Sequence, residues 1–99
     1  MGRLDGKVAL ISGTARGMGR AAALEFAAQG AAVFGCDLDE AASDETVALV
    51  TKAGGVMAAV APLNLSGAAG AQAWVRAAVD RFGGVDILYN NAARFLRLK

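Results

Sequence analysis

Residues 12–19 read Ser-Gly-Thr-Ala-Arg-Gly-Met-Gly, and this stretch decides how the rest of the chain is interpreted. It directly follows the apolar run 8–11, Val-Ala-Leu-Ile, and directly precedes the helix-forming segment 20–29. Glycines between a strand and a helix let the backbone approach a ligand closely, and the start of the helix offers unpaired N–H groups and a positive dipole end. The context therefore predicts a binding turn for a dinucleotide pyrophosphate.

The glycine spacing in this turn is G-x-x-x-G-x-G, which is wider than the commoner G-x-G-x-x-G. Residues 17–22 also satisfy G-x-G-x-x-A, but that pattern begins too far beyond the strand for the short turn it requires. A glycine triplet alone is a weak signal, and here the flanking strand, the helix and a downstream acidic residue strengthen it. The candidate cofactor-binding residues of the turn are Gly13, Arg16, Gly17, Met18 and Gly19.

The whole chain alternates between short apolar runs and longer segments of helical composition, in the order β-α-β-α-β-α-β. The predicted strands are 8–11, 31–36, 56–61 and 85–89, and each helical segment between them ends in glycine. Parallel strands joined by helices cross over right-handedly, which places helices on both faces of a parallel sheet. The fold class is therefore α/β, a Rossmann-like doubly wound parallel sheet with strand order 3-2-1-4.

The last helical segment has apolar residues at i, i+3, i+4 and i+7, which predicts one buried face. That predicted face consists of Val75, Ala78, Val79 and Phe82, with Arg76, Asp80 and Arg81 toward solvent.

Composition excludes several classes of protein. Apolar residues make up 56% of the 99 residues and charged ones 19%, which excludes disorder and suits strands covered on both faces. A net charge of +1 provides no basic stripe for nucleic acid. Since the sequence shows no secretory signal and no apolar run long enough for a membrane span, we expect a cytoplasmic protein without membrane partners.

Cys36 is the single cysteine, so no internal disulfide can form. Its place at the end of an apolar run predicts a buried structural thiol. The chain has no histidine and no cluster with metal-ligand spacing, so we predict no metal site.

Asp37 closes the second predicted strand, 18 residues after Gly19. A carboxylate there can accept hydrogen bonds from both adenosine ribose hydroxyls, and it repels the 2′-phosphate of NADP. Leu38 adds no positive charge, whereas Arg16 has the opposite effect, because a guanidinium near the ribose can pair with a phosphate. Asp37 would meet the 2′ position directly, so NAD is favoured over NADP. The alternative is a solvated strand end within the acidic segment 37–40.

Two asparagine-containing segments follow later strands. Asn64 can accept from the exocyclic amine of adenine while Leu65 offers a backbone N–H and an apolar contact, although an asparagine here can equally be a turn residue. Residues 90–92, Asn-Asn-Ala, end the fourth strand next to the first, where open parallel sheets bind ligands. Asparagines are also common in loops, so this segment gains weight only beside the other motifs.

Together these motifs resemble the short-chain dehydrogenase/reductase family over about residues 4–93. The resemblance implies an oxidoreductase that transfers hydride between a nicotinamide cofactor and an alcohol or carbonyl substrate. It implies the following cofactor contacts: Gly13, Gly17 and Gly19 at the pyrophosphate, Asp37 at the adenosine ribose, Asn64 and Leu65 at the adenine, and Asn90 and Ala92 near the sheet switch point. The chain departs from the family pattern at Ser12, Asn64 and Ala93, where Thr, Asp and Gly are usual.

The family's catalytic Tyr-x-x-x-Lys pair and serine are not matched, since the only tyrosine is Tyr89 and the residue four positions on is Ala93. We therefore expect residues 1–99 to be a partial Rossmann domain whose catalytic C-terminal half is absent, and which is not catalytically competent alone. Truncation would leave strand 85–89 as an unpaired apolar edge and favour self-association. A free-standing nucleotide-binding or interaction module remains an alternative, as does an S-adenosylmethionine-binding domain, which the glycine spacing disfavours.

Overall fold

The structure is a computed structural model that describes residues 2–63 and 68–89. Its elements in chain order are β1 Val8–Ser12, α1 Gly17–Ala28, β2 Ala32–Cys36, α2 Glu40–Lys52, β3 Val56–Val60, α3 Ala68–Phe82 and β4 Ile87–Tyr89. The strands form one parallel sheet in the order β3-β2-β1-β4. The predicted α/β class, the alternation of elements and the strand order are all confirmed.

Two apolar cores lie on opposite faces of the sheet. Every residue of β1 is buried, and alternate side chains of a strand point to opposite faces, so β1 supplies both cores. One core is covered by α1 and α2 and contains Ile11, Ala23, Ala27, Val33, Val50 and Met57. The other is covered by α3 and contains Val8, Leu10, Phe34, Cys36, Trp74 and Ala78. Burial on both faces explains why β1 and β2 are continuous apolar runs.

The boundaries of two elements differ from their predicted positions in ways that affect the site. Helix α1 begins at Gly17 rather than at residue 20, so the last two glycines of the motif lie in its first turn. Strand β4 spans Ile87–Tyr89 rather than 85–89. Asp86 precedes it and is tied to the start of β1, since its carboxylate accepts from the Val8 N–H at 2.9 Å and its own N–H donates to the Val8 carbonyl at 2.8 Å.

The predicted buried face of α3 is confirmed only in part. Ala78 is buried and Phe82 packs against the core, as predicted. Val75 and Val79, however, are 43% and 42% exposed, and Trp74, which is 4% exposed, lies on the buried face instead. The Trp74 indole fills the core under the helix and its Nε1–H donates to the Gly35 carbonyl at 3.2 Å, which fixes the rotation of α3. Burying the Trp74 side chain stabilises the fold more than burying two valines would, because the stabilisation increases with the apolar area removed from water.

Strand β4 forms one edge of the sheet within the described residues. Leu88 pairs in register with Leu10 and is 65% exposed, while Tyr89 on the other face packs edge-to-face against Phe26 with ring centroids 5.8 Å apart. The α3 side of this edge therefore presents an apolar surface to solvent. Among the helices of residues 2–63 and 68–89, none has the length and apolarity needed to span a bilayer.

Candidate dinucleotide-binding site

The glycine turn connects the carboxyl end of β1 to the start of α1, in the position predicted from the sequence. Gly13 and Gly17 have φ angles of 71° and 64°. Residues with a Cβ rarely adopt this left-handed region, so the two glycines allow the sharp change of direction. Gly19 is buried inside the first turn of α1, where a small residue permits close packing.

The start of α1 differs from that of α2 in how its N–H groups are satisfied. In α2 the Asp39 side chain accepts from the Ala42 N–H at 3.0 Å, and Glu40 places a negative charge in the first turn. In α1 no side chain caps the helix at Arg16 within the described chain, and the first turn holds no acidic residue. Since helix geometry leaves the first N–H groups without intrahelical partners, the opening of α1 is a suitable site for an anion.

Asp37 lies directly beside this opening. One carboxylate oxygen, Oδ2, accepts from the Ala15 N–H at 3.0 Å, and Oδ1 accepts from the Asp39 N–H at 3.0 Å. The side chain is half-buried, and a carboxylate has about four lone-pair sites, so acceptor capacity remains for two further donors. Such a carboxylate can accept from the two hydroxyls of a ribose whose phosphate rests on α1.

Arg16 and Asp39 form an ion pair at the outer edge of the site, with side chains 71% and 41% exposed. The Ala42 N–H, together with the Arg16 guanidinium, holds the pKa of the Asp39 carboxyl below its usual range. Arg16 is thus directed toward Asp39, while Leu38 beside them is 48% exposed. The capping role of Asp39 was not predicted from the acidic segment 37–40, although an aspartate just before a helix is the usual sign of it.

Gly35, in β2, has a role at the turn that was not predicted from the sequence. A Cβ at this position would overlap the Thr14 side chain and approach the Met57 methyl group to 3.0 Å. The glycine therefore lets buried Thr14, one residue beyond Gly13, lie directly against the sheet. An isolated glycine inside a strand is the general sign of such close approach.

Cys36 ends β2 next to Asp37 and is buried, as predicted. Burial raises the pKa of its thiol to about 12, so the group is protonated and unreactive at neutral pH. Within residues 2–63 and 68–89, no group of three or more His, Cys, Asp or Glu residues is arranged to hold a metal ion.

Comparison with known proteins decides the family. The family model described as short chain dehydrogenase matches residues 7–98. The chain belongs to the short-chain dehydrogenase family. This family uses nicotinamide dinucleotide cofactors, which agrees with the donor and acceptor groups at the α1 opening.

Individual relatives match nearly all of this chain. Galactitol 2-dehydrogenase from Agrobacterium fabrum is 44% identical over 93 residues, covering 94% of this chain and 35% of that protein. Sorbitol dehydrogenase from Cereibacter sphaeroides is 42% identical over 93 residues, with 94% and 35% covered. The crystal structure of a short chain dehydrogenase from Mycobacterium avium superposes with a TM-score of 0.86 at 37% identity, covering 92% of this chain and 36% of that one. The chain thus spans about a third of the length of these relatives.

The structure brings together only part of the predicted cofactor site. Four candidates lie in the turn and the first turn of α1: Gly13, Gly17, Met18, which is 70% exposed, and Gly19. Asp37 is bonded to the Ala15 N–H of the same turn. Asn64, Leu65, Asn90 and Ala92 lie outside the described residues, so their roles at the adenine and at the switch point stay predictions.

Proposed function

We propose that this chain is the NAD-binding portion of a short-chain dehydrogenase that transfers hydride between the nicotinamide and an alcohol or carbonyl substrate. The observation that carries the proposal is the juxtaposition of the Asp37 carboxylate with the uncapped start of α1. The N–H groups of the first turn would bind the diphosphate, and Asp37 would accept from the adenosine ribose. The bound nicotinamide supplies the hydride chemistry, and these residues hold and orient the adenosine half.

NAD is favoured over NADP by the arrangement of charges around the ribose position. The Asp37 carboxylate lies where a 2′-phosphate would meet a negative charge. Arg16, which could offset that charge, is paired with Asp39. Exposed ion pairs are weak, so Asp37 contributes most of the preference for NAD over NADP. The Arg16–Asp39 pair makes a smaller contribution, because it reduces the positive charge that Arg16 could offer to a 2′-phosphate.

Catalysis is proposed to require residues beyond this set of 99. The family's Tyr-x-x-x-Lys pair is not present, because Tyr89 is the only tyrosine and position 93 is alanine. We therefore infer that residues 1–99 form a partial Rossmann domain that binds cofactor without turning over substrate. We also place it in the cytoplasm, where an unpaired cysteine such as Cys36 stays reduced.

The direct test is calorimetric titration of the chain with NAD, NADP and S-adenosylmethionine. We expect NAD to bind at least about tenfold more tightly than NADP, equivalent to about 1.4 kcal/mol of discrimination against the 2′-phosphate. S-adenosylmethionine lacks a diphosphate and is expected not to compete. Equal affinity for the two dinucleotides would contradict the role given to Asp37, and competition by S-adenosylmethionine would contradict the dinucleotide assignment.

The exposed β4 edge favours a second candidate property, self-association. Leu88 is 65% exposed and Val85 39% exposed, and β4 has a neighbour on one side only within the described residues. An open apolar strand edge is a template for pairing with another chain, and we propose a second copy of this chain as that partner.

Replacing Leu88 by lysine is expected to convert self-associated chain to monomer, because a charged side chain on an edge strand opposes pairing. Light scattering after size-exclusion chromatography measures the molar mass over a range of protein concentrations. The matched control is Leu49→Lys on α2, an equally drastic change at a leucine that is 39% exposed and distant from β4. A monomeric parent at all concentrations, or equal dissociation by both variants, would refute pairing through β4.

A further inference from the structure

We propose that Thr46 of α2 is a positioning residue for the glycine turn, and that Arg20 of α1 holds Thr46 in place. The inference rests on the proposed dinucleotide function for its consequence, and on the hydrogen bonds of the described residues for its geometry. Neither residue was singled out from the sequence, because their contact joins two helices at positions 26 residues apart.

The three elements are joined by a continuous chain of hydrogen bonds. The Thr46 side chain is fully buried, and its hydroxyl donates to the Thr14 carbonyl at 2.7 Å. The carbonyls of Ala15 and Ala42 are both farther away, at 3.2 Å. A hydroxyl has one proton, so the shortest contact identifies Thr14 as the principal acceptor.

Arg20 completes the chain from the opposite side. Its Nε–H donates to the Thr46 hydroxyl oxygen at 2.8 Å, and its Nη2 group donates to the Ala42 carbonyl at 3.2 Å and to Glu45 at 3.0 Å. Donation from a guanidinium polarises the hydroxyl and strengthens the bond that the hydroxyl itself donates. Arg20 lies in α1 one residue after Gly19, so the network returns to the helix whose start forms the site.

The peptide group between Thr14 and Ala15 is consequently held at both ends. Its carbonyl accepts from Thr46, and its N–H donates to the Asp37 carboxylate at 3.0 Å. In a trans peptide the C=O and N–H point in opposite directions, so the two bonds together fix the orientation of the peptide plane. That plane immediately precedes Arg16 and the first N–H groups of α1, which the proposed diphosphate contacts.

Loss of the Thr46 hydroxyl therefore has two consequences at the cofactor site. The Thr14 carbonyl loses its partner in a buried position and the turn gains freedom to rotate. Asp37 is also affected, because the N–H it holds belongs to the same peptide group. Both the diphosphate contacts and the ribose acceptor then have to be ordered when the dinucleotide binds, which lowers affinity.

The test compares Thr46→Val, which keeps the side-chain shape and removes the hydroxyl, with Thr46→Ser, which keeps the hydroxyl. The control is Val50→Ala, one turn further along α2, which removes buried apolar volume from a residue that is 1% exposed without touching the turn. NAD affinity is measured by calorimetry, global stability by urea unfolding, and exchange of the Ala15 amide by nuclear magnetic resonance without cofactor.

We expect Thr46→Val to weaken NAD binding about tenfold and to speed exchange of the Ala15 amide by a similar factor. Thr46→Ser should restore both to near the parent values, and Val50→Ala should lower stability while changing neither. If the parent binds no NAD while Thr46→Val still speeds exchange of the Ala15 amide, the proposed function is refuted and the positioning geometry stands. Unchanged exchange and affinity in Thr46→Val, or equal changes in Val50→Ala, would overturn the positioning role.

Discussion

Replacing Asp37 by alanine is expected to weaken NAD binding at least about 100-fold, because two hydrogen bonds to a charged acceptor are lost, each contributing about 1.5 kcal/mol or more. The same change also leaves the N–H groups of Ala15 and Asp39 without their acceptor. Both effects act at the carboxyl ends of β1 and β2, away from the apolar cores, so the circular dichroism spectrum should be unchanged. Calorimetric titration with NAD gives the dissociation constant.

The preference between the two dinucleotides separates ribose binding from loosening of the turn. A loosened turn weakens NAD and NADP equally because both carry the same diphosphate, whereas removal of a charge at the 2′ position weakens only NAD strongly. The affinities of Asp37→Ala for NAD and NADP should therefore converge. Asp44→Ala is the control, since it removes the same charge from an exposed position on α2. Retention of the full NAD preference in Asp37→Ala would contradict the assignment.

Replacing Trp74 by alanine is expected to lower the free energy of unfolding by about 3–5 kcal/mol, the usual cost of removing a large buried aromatic side chain. Domains of this size have a total stability of about 5–15 kcal/mol, so the variant should be largely unfolded in moderate urea. Trp74 is the main side chain by which α3 covers its face of the sheet, and its indole N–H also satisfies the Gly35 carbonyl.

Circular dichroism in a urea series is the suitable measurement, since Trp74 is the single tryptophan and its removal abolishes tryptophan fluorescence. Val75→Ala is the control: the neighbouring side chain is 43% exposed, and we expect a change within about 0.5 kcal/mol. If the assignment of the buried face of α3 from apolar spacing were right, Val75→Ala would lower the free energy of unfolding more than Trp74→Ala. A larger loss from Val75→Ala than from Trp74→Ala would therefore restore that assignment.

The fold was predictable because its signals are local and repeated along the chain. Each strand is a short apolar run, each helix is followed by a glycine, and right-handed crossovers leave few alternatives for the strand order. The glycine turn and Asp37 were predictable for the same reason, since both sit at strand ends that the sheet topology brings to one edge.

Contacts between elements distant in sequence could not be derived from the pattern. The pairing of Arg16 with Asp39 and the bond from Thr46 to the Thr14 carbonyl depend on how closely α2 approaches the turn. The rotation of α3 depends on which of its two adjacent apolar stripes packs better against the sheet. The stripe that contains Trp74 is the one that packs there. The spacing of apolar residues predicts that a helix has an apolar face, and packing against the sheet determines which residues of the helix are buried.

The buried thiol of Cys36 can serve as a built-in probe of transient unfolding of the sheet. A protonated thiol that is 2% exposed does not react with alkylating reagents, whereas the same group in an unfolded chain has a pKa of about 8.5 and reacts readily. Strand β2 lies between β1 and β3, so fraying at the ends of the chain does not expose it. The rate of alkylation at this one position therefore reports how often the centre of the sheet separates, without any introduced label.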